Sequence, residues 1–106
     1  MKQYKVIVTP DAEEDLRKYV AYLRDVKKNP QAVKNVLEDF RDTKKSLKNV
    51  AGSIKEPDSE KLKERGLKRM NFLRHNYFVL FYIGDDDKVY ITDVFHGLED
   101  FESKLR

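Results

Sequence analysis

Tyr77-Phe78-Val79-Leu80-Phe81-Tyr82-Ile83 is the longest unbroken apolar run in the chain. Its aromatic and β-branched side chains suit a strand, and so does its length. A run without polar alternation predicts a strand covered on both faces, and therefore a central one. Along it Tyr77, Val79, Phe81 and Ile83 share one face, and Phe78, Leu80 and Tyr82 share the other. Gly84-Asp85-Asp86-Asp87 follows as a hairpin turn, and residues 88–95 as the next strand. Upstream, Arg74-His75-Asn76 reads as a turn that exposes His75. Before it, residues 67–73 alternate weakly, with Lys68, Met70 and Phe72 on one face and Arg69 and Asn71 on the other. Short turns between three strands predict an antiparallel meander.

Further upstream the period changes. Tyr4-Lys5-Val6-Ile7-Val8 predicts a first strand. Thr9 can then cap a helix, and Pro10 suits its first position. Asp11, Glu13, Glu14 and Asp15 place negative charge at the positive end of that helix's dipole. Ala12, Leu16, Tyr19, Leu23 and Val26 form one apolar stripe. After Lys27-Lys28, Asn29-Pro30 repeats the start signal. Val33, Val36, Phe40, Leu47 and Val50 form a second stripe, widened by Leu37. Two helices joined so tightly lie antiparallel, and their stripes need a sheet to cover. Gly52 stops the second helix. Residues 53–66 read as a mobile polar connection with a short helical turn near residues 60–65. Leu98, Phe101 and Leu105 have helical spacing.

The predicted architecture is α+β, in the order β-α-α-β-β-β. It is an antiparallel sheet with an N-terminal helical hairpin packed on one face and a short C-terminal helix. The opposite face is expected to be free for function or for a partner. Residues 1–106 are read as a single domain.

The 106 residues include 22 Lys+Arg, 19 Asp+Glu and no Cys, for a formal net charge of +3. Zero Cys excludes a disulfide framework, a cysteine zinc site and thiol catalysis. No apolar run approaches the ~20 residues of a membrane span. No signal peptide is visible before the first strand, so a cytoplasmic protein is expected. Residues 1–50 carry 12 basic and 8 acidic side chains, residues 51–76 carry 7 and 4, and residues 77–106 carry 3 and 7. The basic excess thus lies in the helical half and the connection after it. Such a surface attracts nucleic acid or an acidic protein, or is simply well solvated.

Few residues suggest chemistry. Asp85-Asp86-Asp87 could be read as a cation site, but consecutive Asp on a turn point in different directions, so a solvated turn is expected and no metal or cofactor. His96 sits where a strand ends, just before Gly97. It can serve as a general acid or base, or simply hydrogen-bond the adjoining turn. Lys68, Arg69 and Arg74, with Lys61, Lys63 and Arg65 upstream, form the densest basic segment, the kind phosphate contacts need. Phosphate-loop, nucleophile-elbow and zinc-protease motifs are absent.

Four stretches in order resemble the RelE/ParE family of bacterial type II toxins. They are the first strand and helix start, residues 4–16, the second helix start Asn29-Pro30-Gln31-Ala32, the central strand Asn76-Tyr77-Phe78-Val79-Leu80-Phe81-Tyr82, and Val94-Phe95-His96-Gly97-Leu98-Glu99-Asp100-Phe101. The resemblance spans nearly the whole chain. It implies a growth-inhibiting toxin, of a kind linked to plasmid stabilization, that a cognate antitoxin wraps and neutralises in a hetero-oligomer. Two activities occur among relatives: ParE-like poisoning of DNA gyrase, and RelE-like, metal-independent cleavage of mRNA on the ribosome. The nuclease members carry a central-strand arginine against the scissile phosphate, and here that position is Phe78. By the same resemblance His96 and Arg69 are the catalytic candidates for a nuclease. Lys68, Arg74, Phe78 and Phe101 are candidates for binding substrate or partner. Phe78 tilts the expectation toward the gyrase-directed branch, with the nuclease and a purely antitoxin-binding member as alternatives. The antitoxin is expected to lie on the sheet face and basic segment, with apolar anchors and carboxylates.

Overall fold

The computed structural model describes residues 2–105. Strand β1 (Lys5–Val8) leads into helix α1 (Pro10–Ala21), which a π-helical turn extends over Tyr22–Val26. Helix α2 (Pro30–Val50) ends in a 3-10 turn over Ala51–Ser53, and the connection beyond it holds a short helix α3 (Glu60–Glu64). Strands β2 (Lys68–Asn71), β3 (Tyr77–Ile83) and β4 (Lys88–His96) follow, then a 3-10 turn over Phe101–Lys104.

Both helix starts form as the caps dictate. The Thr9 hydroxyl accepts from the Ala12 N–H at 3.3 Å, and the Asn29 side-chain Oδ1 accepts from the Ala32 N–H at 3.0 Å. Each cap satisfies a donor the first turn would leave unpaired, and a proline follows each. The π turn takes α1 off its 3.6-residue period, and Val26, expected on the stripe, is 65% exposed. Lys28 at φ 50° reverses the chain into α2.

The sheet order is β1-β4-β3-β2. The meander β2-β3-β4 is antiparallel as expected, while β1 joins β4 in parallel, so the sheet as a whole is mixed. The parallel pair arises because α1 and α2 carry the chain across one face before β4 returns beside β1. Along the β3–β4 ladder Leu80 faces Asp93, but Phe81 faces Ile91. Thr92 is therefore an extra residue, a β-bulge that moves every later side chain of β4 to the other face.

Two apolar clusters fill the two faces. Against the helices lie Val79, Phe81, Val89, Ile91 and Val94, packed with Ala12, Val36, Phe40 and Leu47. The opposite face is covered too, which corrects the expectation of a free surface. Phe78, Leu80 and Phe95 pack there beneath Leu62 of α3, with Leu67, Phe101 and Leu105 around them. An uncovered Phe78-Leu80-Phe95 patch would expose apolar surface at about 25 cal/mol per Å², and the chain's own tail removes that cost. The tail does this as an extended segment with one 3-10 turn rather than a C-terminal α-helix, and Leu98, expected on its stripe, is 83% exposed.

Candidate functional site

The bulge at Thr92 decides where the candidate residues point. His96 pairs with Tyr77 across the β3–β4 ladder, and both face the helices. The His96 ring meets the Tyr77 ring edge-on at 5.0 Å, and Tyr77 meets Tyr19 of α1 at 5.3 Å. Tyr22, Leu23, Lys18, Lys27 and Glu99 complete the walls of a cavity of about 590 Å³. The His96 Nδ1 accepts from the Leu98 N–H at 3.2 Å, so the neutral ring carries its proton on Nε2. This is the turn-bonding histidine, in contact with the loop it precedes.

Around it runs a polar chain. The Tyr19 hydroxyl donates to Glu99, and the His96 N–H donates to Glu99 at 3.0 Å and to the Tyr19 oxygen at 3.1 Å. Lys104 Nζ closes on the other Glu99 oxygen at 2.7 Å. Burial pushes the Glu99 carboxyl up, but the hydrogen bonds from Lys104, Tyr19 and the His96 N–H outweigh it and hold it below its ordinary value. Burial and the Glu99 hydrogen bond push the Tyr19 phenol up. The network ties α1, the end of β4 and the tail together.

Arg69 lies on the other face, beside Leu80 in the β2–β3 ladder. Its guanidinium stacks over the Phe78 ring at 3.7 Å and stands 5.8 Å from the Phe101 ring. Its Nε donates to Asn71 Oδ1 at 3.0 Å, and among the described residues it makes no ion pair. Burial lowers its pKa from the ordinary guanidinium value, which leaves it charged at neutral pH. It opens into a groove of about 740 Å³ whose walls include the 54–59 segment, Leu62, Phe101 and Glu102. Phe78 itself is 1% exposed. It forms the floor on which Arg69 and Phe101 rest.

The basic segment is not one surface. Lys68 shares the helix-side face with Met70, Arg69 points the opposite way, and Arg74 leaves the sheet for α2. There Arg74 Nη2 binds Asp42 at 2.7 Å and lies 3.8 Å from Asp39. The Asp85-Asp86-Asp87 turn is likewise engaged. Asp86 accepts from the Tyr90 hydroxyl at 2.6 Å and from the Lys88 N–H at 3.2 Å, and Asp87 pairs with Lys2 at 2.9 Å.

One polar centre escaped the sequence reading. Asp39, fully buried on α2, accepts from the backbone N–H groups of Leu73, Arg74 and His75 at 3.2, 3.1 and 2.8 Å. The His75 ring adds a fourth bond from Nδ1 at 2.8 Å, so His75 is anchored where an exposed turn residue was expected. Asp39 sits on the apolar stripe between Val36 and Phe40. An acidic residue on a buried stripe is the signal that could have flagged it.

The sequence profile of the ParE toxin of type II toxin–antitoxin systems (parDE) matches residues 6–101. Among solved structures, the chromosomal ParDE toxin–antitoxin system from P. aeruginosa superposes with a TM-score of 0.72 at 18% identity, covering 89% of this chain and 96% of that one. The toxin–antitoxin complex RelBE2 from Mycobacterium tuberculosis gives 0.55 at 26% identity, covering 89% and 98%. No curated protein sequence matches the chain significantly.

Proposed function

The chain belongs to the ParE toxin family of type II toxin–antitoxin systems, and from that premise we propose that it arrests growth by acting on DNA gyrase and is neutralised by a cognate antitoxin. The observation that carries the choice of target is the separation of His96 from Arg69. An acid–base group and a phosphate-binding cation serve one cleavage only when both reach the same phosphate. Here they stand on opposite faces of the sheet, with the β3 and β4 backbones between them. His96 also spends Nδ1 on the Leu98 N–H. The position that would display a second cation is the buried Phe78. The reading that remains is recognition of a protein target, and β1 and β2 supply the sheet edges to which a partner segment can add.

The deciding experiment runs the purified chain in two assays. Inhibition of gyrase supercoiling is expected, relieved by the antitoxin. His96→Ala is expected to inhibit within twofold of the wild type. Ribosome toeprints with cuts in the A site that vanish in His96→Ala would overturn the choice of target. Normal growth on expression of soluble chain, with antitoxin binding intact, would reduce the protein to a binding module.

A further inference from the structure

We propose that the outer face of α2 is a contact surface for the phosphate backbone of duplex DNA. Arg41, Lys44, Lys45 and Lys48 recur at helical spacings of three and four, and Lys34 lies two turns before Arg41. All five therefore fall on one side of the helix, in a row about 21 Å long from Lys34 to Lys48 at 1.5 Å per residue. Lys34, Arg41, Lys45 and Lys48 are exposed, and Lys44 is held over the buried Phe40 ring with its Nζ at 5.1 Å. Among the described residues none of the five makes an ion pair, whereas Arg17 on α1 is paired with both Glu13 and Glu14.

The carboxylates of α2 offset the row only in part. Asp39 is buried under the β2–β3 loop, Asp42 is bonded to Arg74 while also feeling the charges of Arg41 and Lys45, and Glu38 stands on the flank, so two carboxylates face five cations. The row also lies away from His96 and from the Arg69 groove, so nothing described above uses it.

The composition of this face selects its partner. Leu37 is the one exposed large hydrophobic residue on α2, which is too little for a membrane surface. No exposed aromatic accompanies the cations, so unstacked bases of a single strand have no platform. A straight row of cations, recurring about once per 5.4 Å turn, instead suits a rigid row of phosphates. Duplex DNA carries one charge per about 1.7 Å of axis and releases the most counterions to such a row.

The test measures binding of the full chain to a fluorescein-labelled 20-base-pair DNA duplex of arbitrary sequence, by anisotropy. It contains no gyrase, so its result is independent of the target proposed above. With about four phosphates engaged, affinity should fall roughly 10²-fold between 50 and 200 mM salt. The triple variant Arg41→Gln, Lys45→Gln, Lys48→Gln should bind at least tenfold more weakly at 50 mM salt, with a shallower salt slope and an unchanged circular dichroism spectrum. A control triple of equal charge, Lys28→Gln, Lys61→Gln, Lys63→Gln, should bind within threefold of the wild type. Equal loss in the two triples would overturn the proposal, as would tighter binding of single-stranded RNA or polyglutamate, or no binding at 50 mM salt.

Discussion

Replacing Asp39 with Ala should cost about 3 kcal/mol of stability. The side chain is the shared acceptor for three successive backbone N–H groups in the β2–β3 connection, together with the His75 ring. Truncation leaves those donors without their partner, at about 1 kcal/mol each where water can still reach the loop from one side. Such a loss moves a urea midpoint by about 2 M for a domain of this size. The effect also has a pH signature. Burial raises the Asp39 carboxyl, but the hydrogen bonds from His75 and Arg74 and the Arg74 charge prevail, leaving it below its ordinary value. A depressed carboxyl stabilises the fold fully above the unfolded value of about 4, and the gain disappears as pH falls through the folded value. The gap between wild type and Asp39→Ala should therefore be full at pH 7 and shrink below pH 4. Asp39→Asn keeps the shape and one acceptor oxygen, and should lose about half as much. Urea titrations followed by circular dichroism at pH 7 and pH 3 decide it. A gap below about 0.5 kcal/mol at pH 7, the scale of one exposed hydrogen bond, would refute the anchoring role.

Two further substitutions probe the covered face and the turn after β4. Phe78→Arg restores the cation that nuclease relatives carry, but places it beneath Phe101 and against Arg69. It should cost about 4 kcal/mol and create no A-site cleavage, as read by thermal melting and toeprinting. Gly97→Ala would put a methyl group 1.9 Å from the Asn76 Oδ1. The substitution should cost about 1–2 kcal/mol, and adding Asn76→Ala should recover most of it in a double-mutant cycle; additive losses would place the strain elsewhere.

The central strand, the two capped helix starts and the meander were legible because each rests on local chemistry: an apolar run, a cap followed by proline, a turn rich in Gly and Asp. What escaped depends on contacts distant in sequence. The parallel β1–β4 pair joins segments more than 80 residues apart, and no local pattern announces it. Leu98, Phe101 and Leu105 have helical spacing, yet Phe101 and Leu105 are recruited singly by the Phe78 cluster while Leu98 stays in solvent. His96 and Arg69 are paired as a nuclease site only by resemblance to the family, which does not say which face each takes in this chain. Their separation follows from the pleat of β2 and from the pairing of His96 with Tyr77, which the bulge in β4 hides from a simple alternation of residue numbers.

That additional residue makes β4 a sorting junction. Before Thr92, odd-numbered side chains face the helices; after it, even-numbered ones do. Were Thr92 drawn into the regular ladder, every side chain after it would change sides, with His96 carried to the face of Arg69 and Phe95 under the helices. Deleting Thr92 would instead remove the bulge and leave each later side chain on its present side. A codon gained or lost at the bulge can thus be absorbed without exchanging which chemistry each side of the sheet presents. When this chain is compared with a relative, the gap belongs at Thr92, because a gap placed three residues later would equate side chains that stand on opposite sides of the same strand.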